Sequence, residues 1–228
     1  MSNDRLTPYS IASTRTGGEV SLLSSNRVLR NTYALLALTL LFSAVTAGAA
    51  VALKLPHPGI IITLVGYFGL LFLTMRLRES AWGVLSVFAL TGFMGYTLGP
   101  ILSLYMALPN GHQTVMLALG GTGVIFLGLS AFALVSRKDF SFMGGFLAVG
   151  ALVAFVAGLA AIFFQLPTLS LVVSAAFMLI ASGLILYETS AIVHGGETNY
   201  IMATVSLYVS IYNLFVSLLH LLGIGGSD

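Results

Sequence analysis

The sequence predicts an all-α integral membrane protein, a bundle of seven transmembrane helices. Three observations predict it: a scarcity of charge, seven long apolar runs, and basic residues gathered on one side of those runs. Of 228 residues, 58% are hydrophobic and 7% are charged, with a mean hydropathy of +1.03. A globular domain carries roughly 25% charged residues, so nine cations and seven anions cannot clothe a 24.0 kDa chain in water. That excludes a soluble enzyme, a disordered hub and a nucleic-acid reader. The net charge of +2 and the pI near 9.0 say little about partners, because the placement of so few charges outweighs their sum. With no cysteine there is no disulfide framework, zinc-thiolate site or thiol nucleophile.

A helix needs about 20 apolar residues to cross ~30 Å of hydrocarbon. Seven uncharged runs meet that need, at about 33–53, 59–75, 81–105, 113–135, 142–164, 169–187 and 200–222. They lack strand-like alternation, so helices are preferred to a β-barrel. Pro56-His57-Pro58-Gly59, Pro109-Asn110-Gly111 and Gly195-Gly196 punctuate the breaks. Gly99-Pro100 predicts a kink or an unwound end in the third span. Connections are short, so one domain is expected from residue 26 to residue 228. Trp82, Tyr105 and Tyr200 stand where interfacial aromatic belts form.

The basic residues orient the bundle. Arg5, Arg15, Arg27, Arg30, Arg76, Arg78, Arg137 and Lys138 fall on one side and Lys54 on the other, which places the N-terminus in the cytoplasm. Seven spans then put Asp228 outside. The connection between spans six and seven carries Glu188, His194 and Glu197 but no Lys or Arg, so a re-entrant last segment is the alternative.

Residues 1–25 read as a disordered cytoplasmic tail. The first 30 residues hold nine Ser or Thr, four Arg and no long apolar run. No cleavable signal pattern is present. The tail is either a solvated basic anchor that enforces topology or a handle for a partner, with Arg5, Arg15, Arg27 and Arg30 as its contact candidates.

Glycine is enriched within the spans. Gly92, Gly95 and Gly99 share one face of span three, and Gly120, Gly121, Gly123 and Gly128 sit in span four. Such residues let helix backbones approach in lipid. Gly120-Gly121-Thr122-Gly123 superficially suggests a phosphate loop, but no Lys-Ser/Thr pair follows it, so packing is the expectation for both groups.

Ionisable side chains at membrane depth are the candidates for chemistry. If helix six continues to a stop at Gly195, Glu188 lies about 9 Å before its end. Desolvation and the negative end of the helix dipole both work against its charge. Arg76, closing span two, is the cation nominated to answer it; snorkelling to the interface is the alternative. On span seven, Ala203, Ser206, Ser210, Asn213, Ser217 and His220 recur at intervals of three and four. This small and polar stripe must face protein or water rather than lipid, as a packing seam or as a polar path. His57, His112, His194 and His220 are too scattered for a metal site, so no metal or cofactor is expected. No Gly-x-Ser-x-Gly elbow or intramembrane aspartate pair is present, so no enzyme is expected.

The chain resembles the Bax-inhibitor (transmembrane Bax-inhibitor-motif) superfamily, and within it the bacterial YccA-type members, from about Leu22 to Leu222. The resemblance lies in Leu22-Leu23-Ser24, Val28-Leu29-Arg30-Asn31-Thr32-Tyr33, Gly95-Tyr96-Thr97-Leu98-Gly99-Pro100 and Arg137-Lys138-Asp139-Phe140. It is strongest from Glu188 through His194-Gly195-Gly196-Glu197-Thr198-Asn199-Tyr200 to Asn213-Leu214-Phe215. It implies a bundle whose last helix is surrounded by the others. In calcium-leak members of the superfamily, an acid on helix six pairs with an Asp on helix seven, and an Arg on helix two closes the pore. Glu188 and Arg76 match the first and third of these by position, while Ser210 takes the place of the second acid. That substitution removes half of the site's charge, which weakens the case for a calcium or proton path.

The YccA-type resemblance implies a bacterial inner-membrane partner of the membrane-bound ATP-dependent protease FtsH and its HflK/HflC scaffold. Such a partner is both a slow substrate and a brake on the degradation of other membrane proteins. The alternative is a pH-sensitive calcium or proton leak gated by Glu188 with Arg76.

Overall fold

A computed structural model describes residues 9–225, with side chains from 26 to 223, and every regular element among them is helical. The helices are α1 (Tyr9–Ala52), α2 (Ile60–Leu77), α3 (Trp82–Met106), α4 (Gly111–Ser136), α5 (Gly144–Phe163), α6 (Pro167–Val193) and α7 (Tyr200–Gly225), with a 3₁₀ turn at Ser141–Met143. Each of the seven is long and apolar enough to cross a membrane, so each expected run becomes one helix. The protein is a multi-pass membrane protein.

Three boundaries differ from the simplest reading. Helix α1 begins at Tyr9, so its first turns run through the stretch expected to be a disordered tail. A nucleated helix propagates at little cost, which composition alone does not reveal. Arg5 and the side chain of Arg15 lie outside the described residues. Helix α3 passes through Pro100 without unwinding and ends at Met106. Helix α6 runs past Tyr187 to Val193, with His194 as its cap and Gly195 at φ 75° as the stop, so Glu188 lies inside a helix. Non-glycine residues hold the corresponding left-handed positions after α1, α4 and α5: Lys54, Arg137 and Gln165, at φ of 49–53°.

Helix α7 is the centre. Helices α1, α3, α4 and α6 pack directly on it, while α2 lies over α3 and α5 over α6. Half of the α7 span is buried inside the protein, against 6% of α2. The core gathers on α7 at Leu207, Tyr208, Leu214 and Leu219, all at most 1% exposed. Ile201 lies against Gly83 at the start of α3, and Gly223 lies against Tyr105 at its end, so α7 crosses the whole bundle.

The tightest seam joins α1 to α3. A methyl group added at Gly95 would strike the Thr46 hydroxyl and the Ser43 carbonyl; at Gly99 it would strike Ala50 at 2.5 Å and the Ala47 carbonyl at 2.9 Å. These glycines are the close-packing residues that the sequence predicts. Span four is different. Gly120, Gly123 and Gly128 would meet nothing within 4 Å, so the packing expected of them is absent. In lipid both sides of a helix are apolar, and hydropathy does not say which side holds a neighbour.

Candidate functional site along the seventh helix

The polar stripe of α7 faces protein along its length, because four helices enclose it. Each of its polar side chains finds a different environment. At the end of the bundle that carries Arg76, Arg78, Arg137 and Lys138, the Ser206 hydroxyl bonds the half-buried Glu188 carboxyl from α6. Glu197, in the connection between α6 and α7, adds a second negative charge to that neighbourhood.

The nominated cation is not there. Arg76 is exposed in the last turn of α2, which packs on α3 rather than on α6 or α7. Among the described residues the ion pair is Arg78 Nε to Glu79 Oε1 at 3.4 Å, at the exposed rim. Ser210, at the position of the second acid, is buried one turn further along α7, and the partner that Glu188 meets is Ser206.

Beyond Ser206 the stripe opens into two cavities. The first, about 400 Å³, is bounded by α2, α3, α5, α6 and α7 and includes Tyr67, Thr97, Ser210 and Asn213. The second, about 350 Å³, contains Tyr105, Ser170, Ser174, Asn213, Ser217 and His220. They meet at Asn213 and Phe177, which line both. Asn213 Nδ2 donates to the Val209 carbonyl at 2.9 Å. At the far end, His220 bridges two hydroxyls: Nδ1 lies 3.0 Å from Tyr105 Oη and Nε2 lies 3.2 Å from Ser170 Oγ. From Ser206 to His220 the stripe covers about 21 Å. On α7 the first cavity stops at Val209, so Glu188 and Ser206 lie about one turn outside it. Chemically, the stripe can bind water and relay protons between hydroxyls and the His220 ring. It offers a cation one carboxylate, at one end.

Two further polar clusters hold the charged end together. The Ser190 hydroxyl donates to the Lys138 carbonyl at 3.1 Å and accepts the Phe140 amide at 3.1 Å, docking the α4–α5 connection on α6. His194 reinforces it: Nε2 lies 3.0 Å from the Arg137 carbonyl and Nδ1 lies 2.9 Å from the Ser190 carbonyl. Asp139 accepts the Ser141 amide at 2.8 Å. The Ser141 amide and hydroxyl, with a smaller attraction from His194, hold its carboxyl below the usual aspartate range.

Asn199 caps α7, its Oδ1 accepting the Ile201 and Met202 amides at 3.0 and 3.1 Å. Its Nδ2 donates to the Arg78 carbonyl and to Glu79 Oε1, both at 3.1 Å. Connections 2, 4 and 6 are thereby tied into one end. Sequence reasoning missed Asn199, although an Asn just before an apolar run is a recognisable cap. No local signal marks Ser190, or the pairing of His220 with Tyr105, because the partners lie more than 45 residues apart. Arg27 and Arg30, the described members of the basic tail set, are exposed at the start of the first span.

Comparison with known proteins agrees with this architecture. The family described as "Inhibitor of apoptosis-promoting Bax1" matches residues 25–227. The Escherichia coli K12 protein named "Modulator of FtsH protease YccA" is 57% identical over 208 residues, covering 91% of this chain and 94% of that one. An uncharacterized Pseudomonas aeruginosa protein is 57% identical over 201 residues, covering 88% of this chain and 90% of its own. A Neisseria meningitidis protein, also uncharacterized, is 34% identical over 217 residues, covering 90% and 95%. With its seven membrane helices and a match over nearly its whole length, the chain belongs to the Bax-inhibitor family.

Proposed function

We propose that this protein is an inner-membrane modulator of the membrane-bound ATP-dependent protease FtsH, acting as a binding partner rather than as an enzyme. The observation that carries the reading is the 57% identity, over almost the full length of both chains, to the E. coli protein named as a modulator of that protease. Under this reading the N-terminus is cytoplasmic, the C-terminus is periplasmic, and residues 1–25 are the segment that the protease engages. HflK/HflC joins as the protease's scaffold. The bundle then resists extraction. Removing any span breaks buried packing and exposes about 20 apolar residues to water, and the α1–α3 seam together with the Asn199 and Ser190 ties makes the spans leave together or not at all. An engaged protease is occupied without a product, and other membrane proteins are spared.

Affinity purification from solubilised membranes tests this. The intact chain is expected to bring down FtsH and its scaffold. A chain lacking residues 1–21 is expected to keep its helical content and lose the protease. Equal binding and inhibition by the truncated chain would refute the handle.

One observation favours a second reading, a proton or cation leak. The α7 stripe lines two adjoining cavities that reach toward Glu188. The solid turn between Val209 and Ser206 then serves as the gate, with Glu188 behind it and Arg76 free to approach only if α2 moves. Flux from proteoliposomes of the intact chain and of Glu188→Gln, across pH 6 to 8, decides it; no flux from either removes the leak.

A further inference from the structure

A third cavity belongs neither to the polar stripe nor to the charged end. It is a crevice of about 620 Å³ between α1 and α4, floored by Tyr208, Ile211 and Phe215 of α7 and flanked by Leu98, Leu102 and Met106 of α3. Its two walls meet where the Tyr33 and Phe126 rings lie 6.1 Å apart. Away from that contact, α1 and α4 are not among the closely packed helix pairs. Gly48 on one wall and Gly123 on the other would each meet nothing within 4 Å if given a methyl group. This open glycine pair contrasts with the clashing pair that closes α1 against α3.

The hydroxyls along the crevice are already engaged. Ser43 Oγ pairs with Tyr208 Oη at 2.6 Å, and Tyr208 Oη also reaches the Thr91 carbonyl at 3.2 Å. Thr122 Oγ1 bonds the Ala118 carbonyl at 2.7 Å. The crevice therefore offers carbon surface and no free polar group, which suits hydrocarbon and excludes a polar solute.

Its dimensions select among hydrocarbons. The α1 wall from Leu40 to Ala52 is about 18 Å long, so 620 Å³ corresponds to a mean section of about 34 Å². A helix ~10 Å across has a section of about 80 Å², too large to enter. One extended acyl chain fits. The crevice ends toward Val51 and Ala52, and two residues further stands exposed Lys54. Among the described residues, Lys54 is the charged side chain at that end of the bundle; the others lie at the opposite end or in the tail-proximal turn of α1.

We propose that this crevice is a binding site for one anionic phospholipid, with an acyl chain between Gly48 and Gly123 and the phosphate group at Lys54. The site is independent of protease binding and of any ion path.

The test uses the full chain in vesicles of phosphatidylcholine and phosphatidylglycerol, followed by gentle detergent extraction and mass spectrometry of the retained lipid. The intact protein is expected to hold about one phosphatidylglycerol per chain. Gly48→Leu/Gly123→Leu, whose new side chains enter open space, is expected to hold at least about tenfold less at unchanged helical content, equivalent to 1.4 kcal/mol or more. The single variant Gly123→Leu provides the same readout should the double variant not fold. Lys54→Gln is expected to keep a lipid but lose the preference for phosphatidylglycerol. Retention of as much lipid by the filled variants as by the intact chain would overturn the site. So would an intact chain that holds no lipid, or one from which the filled variants displace a copurifying protein and no lipid. An undiminished headgroup preference in Lys54→Gln would overturn the placement of the phosphate.

Discussion

Helix α1 presents two faces with opposite fates. Toward α3 its small and hydroxylated residues are in hard contact, and glycines on the partner helix are required for the approach. Toward α4, equally small residues border a space that no side chain fills. Both faces read as small-residue membrane helix. Small residues permit close approach, but they do not bring it about; a neighbour has to be delivered to that face by the rest of the packing. Helix α3 is delivered by its own contact with α7 and by the short connections around α2. Helix α4 is drawn onto α6 and α7 instead.

Four substitutions sharpen the contrast. The largest effect is expected for Gly95→Leu, which forces a side chain into the Ser43 carbonyl and the Thr46 hydroxyl. Backbone must move, so a loss of ~3 kcal/mol or more is expected, read as a collapse of the thermal transition in detergent. Tyr208→Phe comes next. It leaves the ring as the floor of the crevice but removes the hydroxyl that ties α7 to Ser43 on α1 and to the Thr91 carbonyl on α3. Leaving those buried groups unpaired costs about 1–3 kcal/mol, measurable in the same melting experiment.

Gly92→Ala is expected to be milder, within about 1 kcal/mol of the intact chain. Its methyl group meets the edge of the partly exposed Phe42 ring at 2.7 Å, which can swing away, and the gain in helix propensity offsets part of the cost. Gly123→Leu should change stability by less than about 0.5 kcal/mol, because nothing stands in its way. A large loss there would mean that the crevice is closed, and a harmless Gly95→Leu would mean that the seam is open.

Much of this fold is legible in the sequence, for physical reasons that also set the limit. Hydrocarbon thickness fixes span length, so the seven runs are visible without a neighbour in sight. The stripe from Ser206 to His220 is legible because polar groups cannot face lipid, and Gly195 announces the end of α6. What hydropathy cannot supply is azimuth and partner. It could not separate the filled glycines of α3 from the open glycines of α4. It paired Glu188 with Arg76 by depth alone, whereas Arg76 is exposed in the last turn of α2 and the carboxyl finds Ser206. The Ser190 and His194 ties join residues about 50 apart through backbone carbonyls, which every residue has and no composition marks.

On the proposed reading, an extraction-resistant bundle occupies the protease. The direct measurement is the rate at which FtsH in proteoliposomes degrades a second membrane substrate, with and without this protein at equal protease concentration. Slower degradation is expected with the intact chain, and restoration of the rate when residues 1–21 are removed. An unchanged rate with the intact chain demonstrably bound to the protease would contradict it.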